Sequence, residues 1–319
     1  MHPVIYLNKT MVEATKARVA PVSSAMLYGR GVFTTLAVYN NEPFLWSRHW
    51  QRLASHAKKL DIDYTGCTER NVGDALHRLI AVNNVKEGRA RVILLARSGR
   101  DIWKTKVPGA KKTDLLIMTG EPQKLSQTGL SLAVSPYRGN TFSPLSGIKS
   151  LNYLEHVLAW EEAQSRDFDE AVVLNERGEI VSATTANIFW VKNGTLHTPA
   201  LSTGALAGIT RECMIEISEK QLAEIREHGI RDYPYECCGL LLGRYEANRK
   251  VVRETYPISN AREESAKRNR FLITPDELIG GEKYATGKDL EIVGFYHSHP
   301  DSPAVPSQYD LEHAWPTYS

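Results

Sequence analysis

Residues 28–53 read YGRGVFTTLAVYNNEPFLWSRHWQRL, and two periodicities meet within this stretch. The β-branched and aromatic run Val32–Tyr39 is typical of a strand. Apolar residues then recur at close to helical spacing, which predicts a helix over Arg48–Leu60. Arg52 lies within this predicted helix. We therefore expect a strand that is followed, after a short polar turn, by a helix.

The same two patterns continue along the chain. Further helices are predicted at Asn71–Val82 and Asn152–Gln164. Asn193-Gly194 is a strong signal for a two-residue hairpin. Further strands are predicted at Arg91–Ala96, Ala171–Leu174, Glu179–Ser182 and Ala186–Val191.

Length and charge limit the class of function. The chain has 319 residues, with 39 Lys+Arg against 37 Asp+Glu and a formal charge of +2. At roughly 150 residues per domain, this length indicates two domains. A charge so close to balance argues against a protein that binds nucleic acid. No apolar run approaches the roughly 18 residues that span a bilayer, so we expect no membrane segment.

Cysteine usage and the first residues indicate a cytoplasmic protein. Cys67, Cys213, Cys237 and Cys238 form no CxxC motif, and the adjacent pair is poorly placed to form a disulfide bond. The opening residues Met-His-Pro-Val-Ile contain neither a basic leader nor an apolar core, so we expect no signal peptide.

The sequence changes character near Glu216. Ser218 and Gln221 have the spacing of a helix capping box, and a second pattern of strands and helices follows. We place a boundary at 216/217, where no Gly/Ser/Pro linker separates the two parts. The predicted domains are 1–118, 119–216 and 217–319.

Five motifs in a fixed order draw attention to Lys149, which alone would be read as a surface lysine. They are Tyr28-Gly29 with Gly31-Val32-Phe33, His49–Leu53, Lys149 with Asn152-Tyr153, Ala186–Phe189 and Gly208–Arg211. In this order they resemble the class IV (fold-type IV) pyridoxal-phosphate enzymes, which include branched-chain and D-amino-acid aminotransferases and aminodeoxychorismate lyase. The resemblance covers about residues 3–216, and the stretch 28–53 is most similar to the lyase branch.

This resemblance implies a site for pyridoxal 5′-phosphate. Lys149 would hold the cofactor covalently through its amine and then move the proton at the substrate Cα. Arg52 would bind the phosphate, because a guanidinium offers both charge and a fork of donors. The backbone N–H groups of Ile209 and Thr210, at a helix start, would complete the phosphate cradle. Arg97 is either a contact for the substrate carboxylate or a plain surface arginine.

Two features depart from this family's pattern. Ser182 stands where the family has a glutamate that keeps the pyridine nitrogen protonated. A hydroxyl can bond to this nitrogen without holding its charge, so we expect a weaker electron sink. Family members also continue beyond the Gly-Ile-Thr-Arg motif with further strands and a second phosphate-binding turn, so we expect an incomplete second domain.

A second constellation follows the strand predicted at Ile292–Tyr296. Alternation in an extended segment places His297 and His299 on one face, close enough to share a metal ion. Ten histidines should produce a His-x-His pair roughly 0.3 times by chance, so the pair alone is a weak signal. Ser307 and Asp310 at their observed spacing lower this chance to roughly one in a thousand.

The pattern His-x-His-x7-Ser-x2-Asp resembles the JAMM (MPN+) zinc metallopeptidases, and residues 217–319 look closest to small prokaryotic members. The resemblance implies that His297, His299 and Asp310 bind Zn2+ and that a water takes the fourth position. Glu236 would be the general base, and Ser307 would stabilise the oxyanion. Cys237 and Cys238 are read as core residues rather than ligands. This part of the chain also ends earlier than in the family, so we expect an incomplete domain.

Three hypotheses of different classes follow. The chain is a two-activity enzyme, or only one half is catalytic with the zinc peptidase favoured, or it is a non-functional fusion of two gene fragments. The expected architecture combines α+β and α/β parts, a fold-type IV enzyme followed by an MPN-type domain. The expected partners are a small amino acid or amino-chorismate substrate and a peptide or ubiquitin-like sulfur-carrier tail. We expect a homo-oligomer.

Overall fold

The computed structural model describes residues 1–97, 113–123, 129–192, 195–212, 215–246, 249–302 and 309–310. Met1–Ala207 and Gly208–Ser319 form two compact units. Each unit has its own sheets and core, and the expected mixture of helices and strands is confirmed. The division falls earlier than 216/217, which stays a prediction about where the two family resemblances meet.

Six strands form the first sheet of the first unit. They are β1 (Val4–Leu7), β2 (Thr10–Glu13), β3 (Gly31–Tyr39), β4 (Glu42–Pro43), β5 (Gly88–Ala96) and β6 (Thr113–Gly120). Their order is β2-β1-β6-β5-β3-β4, and all neighbours are antiparallel. The two strands predicted at 32–39 and 91–96 are confirmed as the adjacent strands β3 and β5.

Three helices accompany this sheet: α1 (Ser24–Tyr28), α2 (Trp46–Lys59) and α3 (Glu69–Val82). α2 and α3 share a core with alternate residues of β3 and β5, so one face of the sheet is dry. The intervening residues, including Phe33 and Arg91, point to the opposite face. No helix in the described ranges combines the length and apolarity needed to cross a bilayer.

A smaller sheet follows in the same unit. Its elements are β7 (Leu132–Gly139), α4 (Leu154–Ser165), β8 (Glu170–Asn175) and β9 (Ile180–Ala183), and the strand order is β7-β8-β9. β7 and β8 are parallel, and β8 and β9 are antiparallel. The core between α4 and this sheet is a cluster of three alanines, Ala133, Ala163 and Ala171, with Phe168 beside it.

The strand predicted at 186–191 is wrong in its first half. The structure has only a short hairpin, β10 (Trp190–Lys192) and β11 (Thr195–His197), and the predicted turn at 193–194 lies outside the described residues. Ala186 closes a tight turn, with its carbonyl accepting from the Ala183 N–H at 2.9 Å. Asn187 is held through its side chain, which donates to the Leu206 carbonyl at 2.9 Å. These bonds replace the ladder that the apolar sequence predicted.

The second unit contains a four-stranded sheet between two helices. Its elements are α5 (Ile209–Glu212), β12 (Ile215–Glu216), α6 (Glu219–Asp232), β13 (Cys238–Glu246), β14 (Arg249–Ile258), α7 (Pro275–Gly287) and β15 (Glu291–His297). The strand order is β12-β14-β13-β15. β12 pairs in parallel with β14, and the remaining pairs are antiparallel.

Alternate residues of β13 and β15 face the two helices of this unit. Leu240 and Ile292 share a cluster with Ala285 of α7, while Val293 and Tyr296 share one with Ile225 of α6. Cys237 and Cys238 are both buried in these clusters, so the prediction that they are core residues is confirmed. The predicted capping box of Ser218 and Gln221 is also confirmed at the start of α6.

We predict that Leu76→Ala lowers the free energy of unfolding of the first unit by about 2–5 kcal/mol, because its fully buried side chain leaves a cavity. Urea unfolding followed by tryptophan fluorescence checks this, since Trp46 and Trp50 lie at the same core. Val82→Ala on the same helix, where the side chain is 57% exposed, is the matched control and should change stability by less than about 0.5 kcal/mol. Equal effects of the two substitutions would contradict this core assignment.

Candidate functional sites

The lysine-bearing segment is attached to the beginning of β3. The Phe33 N–H donates to the Lys149 carbonyl, and the Leu151 N–H donates to the Gly31 carbonyl, both at 3.0 Å. A Cβ at Gly31 would lie 2.4 Å from the Leu151 side chain and 2.8 Å from the Leu94 carbonyl oxygen. Only glycine permits this close approach. The Gly31 motif and the Lys149 motif are therefore two sides of one contact.

The Lys149 amine lies near two aromatic rings and two arginines. Its Nζ is 4.7 Å from the centroid of the Phe33 ring and 5.3 Å from that of Tyr153. Burial, together with the positive charges of Arg52 and Arg91, lowers the pKa of Lys149 to about 8. The Lys149 amine therefore loses its proton more readily than an ordinary lysine, and the unprotonated amine is the form that can act as a nucleophile.

Two buried histidines, His49 and His56, lie next to Arg52 and Lys149. The Lys149 backbone N–H donates to Nδ1 of His56 at 3.1 Å, so this nitrogen carries no proton. Burial and the nearby cations Arg52, Lys59 and Lys149 lower the pKa of His56 to about 4. Burial, with Arg52 and Lys149, likewise lowers the pKa of His49 to about 3. Both imidazoles are therefore neutral at physiological pH.

Arg52 is fixed in the site by two hydrogen bonds. Its Nη2 donates to Oγ1 of Thr34 at 3.0 Å, and its Nη1 donates to the Ala207 carbonyl at 3.1 Å. The Thr34 hydroxyl in turn lies 2.7 Å from Nδ1 of His49, to which it can donate its own proton. The guanidinium is thus oriented by Thr34 of β3 and by the Ala207 carbonyl, and His49 of α2 holds the Thr34 hydroxyl.

The structure brings Arg91, for which the sequence predicted no role, close to Lys149, whereas Arg97 is paired elsewhere. Arg97, which the sequence offered as a substrate contact, pairs with the buried Asp114 at 3.4 Å between Nε and Oδ2. Arg91 instead reaches the lysine site, with its guanidinium 4.8 Å above the Phe33 ring and Nε donating to Oγ1 of Thr35 at 3.0 Å. Strand alternation could have predicted this position. Arg91 lies between the core residues Ala90 and Val92, so its side chain must point to the opposite face of the sheet.

The remaining residues predicted for the cofactor site are placed as follows. Ser182 lies on β9 opposite Val173 of β8, and its role stays a prediction. Ile209 and Thr210 form the first residues of α5 in the second unit, and their role in a phosphate cradle also stays a prediction. Glu170, the first residue of β8, accepts hydrogen bonds from Thr184 and Thr185, which follow β9 directly.

The residues predicted to bind metal converge at the end of β15. Nε2 of His297 and Nε2 of His299 are 2.7 Å apart. The Asp310 carboxylate lies 3.4 Å from the first of these nitrogens and 3.3 Å from the second. One possible ligand atom from each of the three residues lies within 4.8 Å of the other two. Ser307 lies outside the described residues.

Glu236 is positioned beside this triad by the neighbouring strand. Cys237 and Ser298 join its segment to the histidine segment through hydrogen bonds of 2.9 and 3.1 Å. The Glu236 side chain is buried, and burial together with the charge of Asp310 raises its pKa to about 7. A carboxyl group with this pKa can both take up and release a proton near neutrality.

A cavity of about 800 Å3 opens next to the histidines. One wall is the end of β15 with His297 and, just beyond it, His299, and the other is the face of α6 with Ile225 and Gly229 and, just beyond it, Tyr233. Arg226 of α6 also lines it. The cavity is therefore mainly apolar, with the two imidazoles at one end.

The donor sets fit the two groups that the sequence implies. A partly buried amine of lowered pKa beside an oriented guanidinium suits an aldehyde cofactor with a phosphate. Two imidazoles and a carboxylate are the ligands of a catalytic zinc site that keeps one position open.

Two family models match the chain. The model for amino-transferase class IV matches residues 31–233, and the model for prokaryotic homologs of the JAB domain matches residues 218–319. The two matches overlap over residues 218–233, which include all of α6.

Individual relatives agree with the first match. A Methanocaldococcus jannaschii protein, provisionally named a branched-chain-amino-acid aminotransferase, is 33% identical over 70% of this chain and 77% of its own length. The aminodeoxychorismate lyase of Bacillus subtilis is 32% identical over 67% of this chain and 73% of its own. The crystal structure of the Escherichia coli branched-chain amino acid aminotransferase is 26% identical, with a TM-score of 0.59, and the match covers 72% of this chain and 75% of that one.

We predict that Arg91→Gln raises the pKa of Lys149 by roughly 0.5–1, because removing a nearby positive charge favours the protonated amine. The pH dependence of Lys149 modification by trinitrobenzenesulfonate, followed by mass spectrometry in protein free of cofactor, measures this change. Arg89→Gln on the same strand, which does not act on Lys149, is the control. An unchanged Lys149 profile in Arg91→Gln would contradict the proximity of the two cations.

Proposed function

This chain belongs to the class IV aminotransferases through residues 31–233, and we propose that its first unit is a pyridoxal-phosphate enzyme acting on a small amino acid or an amino-chorismate. The observation that carries this proposal is the partly buried Lys149 amine of lowered pKa, flanked by two arginines and two aromatic rings. Pyridoxal phosphate, when bound, supplies an electron-withdrawing ring that stabilises negative charge at the substrate Cα.

Each residue near Lys149 has a separate role in this proposal. Nζ of Lys149 would hold the cofactor through its amine, and the amine would move the proton at the substrate Cα. Arg52 binds the phosphate together with the backbone N–H groups of Ile209 and Thr210. Arg91, rather than Arg97, binds the substrate carboxylate, because Arg97 is paired with Asp114.

Ser182 bears on the choice between transamination and lyase chemistry. A serine hydroxyl near the pyridine nitrogen would leave that nitrogen without a carboxylate partner, which weakens the ring as an electron sink. We therefore propose a slower enzyme than one with a glutamate at this position. The related proteins named above include both an aminotransferase and a lyase, so both reactions should be assayed. We also propose a homo-oligomer.

For the second unit we propose a zinc-dependent peptidase. This proposal is supported by the convergence of His297, His299 and Asp310 and by the match to prokaryotic JAB homologs. Zinc, when bound, supplies a Lewis acid and an acidified water. Glu236 takes a proton onto its carboxylate and returns it to the leaving amine, as its pKa near neutrality allows. Ser307 is proposed to stabilise the oxyanion.

The proposed substrate of the second unit is a peptide or a ubiquitin-like sulfur-carrier tail. The cavity beside the histidines is large enough for a few residues of such a tail, and its apolar wall on α6 suits aliphatic side chains. If only one unit is active, or if neither is, the two experiments below separate these alternatives, because each reads a different unit.

We expect Lys149→Ala to abolish the visible absorbance band that the purified chain acquires with pyridoxal phosphate, and to reduce any transaminase or lyase turnover at least about 1000-fold. Borohydride reduction followed by mass spectrometry locates the covalent attachment. Lys58→Ala on the exposed face of α2 should keep both the band and the attachment. A reducible adduct that persists in Lys149→Ala would disprove the lysine assignment.

We expect Glu236→Gln to lower peptide hydrolysis by at least about 100-fold while the zinc content stays at wild-type level. Turnover is measured on fluorogenic peptides and tail fusions of ubiquitin-like sulfur carriers, and zinc by elemental analysis. Glu227→Gln on the exposed face of α6 is the matched control. If zinc is lost from Glu236→Gln, this residue is a ligand and its role as a base is wrong.

A further inference from the structure

We propose that Arg262 is a positioning residue for the metal centre, holding both the segment of Asp310 and the surface on which His297 rests. This inference deepens the proposed zinc site and depends on it. His297 and His299 follow directly from β15, whereas Asp310 comes from outside the sheet. The third ligand therefore needs another means of being held against the first two.

Arg262 contacts the neighbours of two of the three ligands. Its Nη2 donates to the hydroxyl of Tyr309, the residue next to Asp310. Its Nε donates to the Phe271 carbonyl at 3.4 Å. The Phe271 ring stacks on the His297 imidazole, with their centroids 4.6 Å apart. One guanidinium thus links the carboxylate side of the site to the imidazole side.

A second arginine holds the same tyrosine. The guanidinium of Arg270 lies 4.5 Å from the centroid of the Tyr309 ring, and that of Arg262 lies 5.6 Å from it. Contacts of this kind are attractive because the face of an aromatic ring carries negative charge. Tyr309 is therefore restrained through its ring and its hydroxyl, and its backbone fixes where Asp310 begins.

Asn260 connects the two arginines to the segment of Glu236, the proposed general base. Its Nδ2 donates to the backbone carbonyls of Glu236 and Arg270, both at 3.0 Å. Its Oδ1 accepts the backbone N–H of Arg262 at 3.0 Å. A single amide therefore connects the segments of the base and of both arginines. The backbone of Arg262 is thereby held in place, as a residue that positions others must be.

Groups that orient ligands without touching the metal typically contribute 10–100-fold to metal affinity. We therefore expect Arg262→Gln to raise the Kd for Zn2+ of the full chain by about 10–100-fold. The visible spectrum of the Co2+-loaded protein should change as well, since it reports the arrangement of the ligands. Tyr309→Phe keeps the ring between the arginines and loses only the hydroxyl, so its effect should be smaller and in the same direction.

Arg244→Gln is the matched control, because it removes an exposed arginine that pairs with Asp289 elsewhere in the same unit. Its Zn2+ affinity and Co2+ spectrum should equal those of wild type. If Arg262→Gln does not fold by circular dichroism, Tyr309→Phe decides the question in its place. A Zn2+ affinity within about twofold of wild type, with an unchanged Co2+ spectrum, overturns the positioning role while leaving the zinc peptidase intact. Wild-type protein that binds no Zn2+ overturns both.

Discussion

The first unit depends on the pairing of residues 149–151 with the beginning of β3. Two backbone hydrogen bonds hold the segment there, and the missing side chain of Gly31 makes the room. This contact brings Lys149 from a distant loop onto the face of the sheet that carries Phe33 and Arg91. The low dielectric and the positive charges of that face then lower its pKa. Both the position and the reactivity of the amine thus follow from one close approach of two backbones.

Local patterns were sufficient for most of the elements. β3, β5, α2 and α3 were predictable because their apolar residues repeat at the period of the structure that they adopt. The strand predicted at 186–191 failed because hydrogen bonds of Ala186 and the Asn187 side chain fix that segment, and such bonds leave no periodic trace. The alanine-lined contact of α4 was also beyond prediction, since the large apolar residues of this helix, such as Leu154 and Trp160, are exposed and alanines form the contact instead.

The candidate sites divide along the same line. Lys149, Arg52 and the histidine pair could be named from ordered motifs, since each motif keeps its spacing along the chain. Arg91 could not be preferred over Arg97 without knowing that Asp114 faces the latter across the sheet. Likewise, no spacing rule reveals that Asn260 joins Glu236 to Arg262 and Arg270. Contacts between residues far apart in sequence decide which charged side chains are committed to the fold and which are available.

The short strand β12 has a consequence for how the two parts of this gene can be taken apart. It follows the Gly-Ile-Thr-Arg motif by a few residues, yet it pairs with Lys250 and Val251 in the second sheet. α6, just beyond, is claimed by both family models. A cut before residue 208 leaves the Gly-Ile-Thr-Arg motif with the second unit, and a cut after residue 216 leaves the edge strand β12 with the first unit. The boundary between the two family matches and the boundary between the two folded units therefore fall at different residues of this chain.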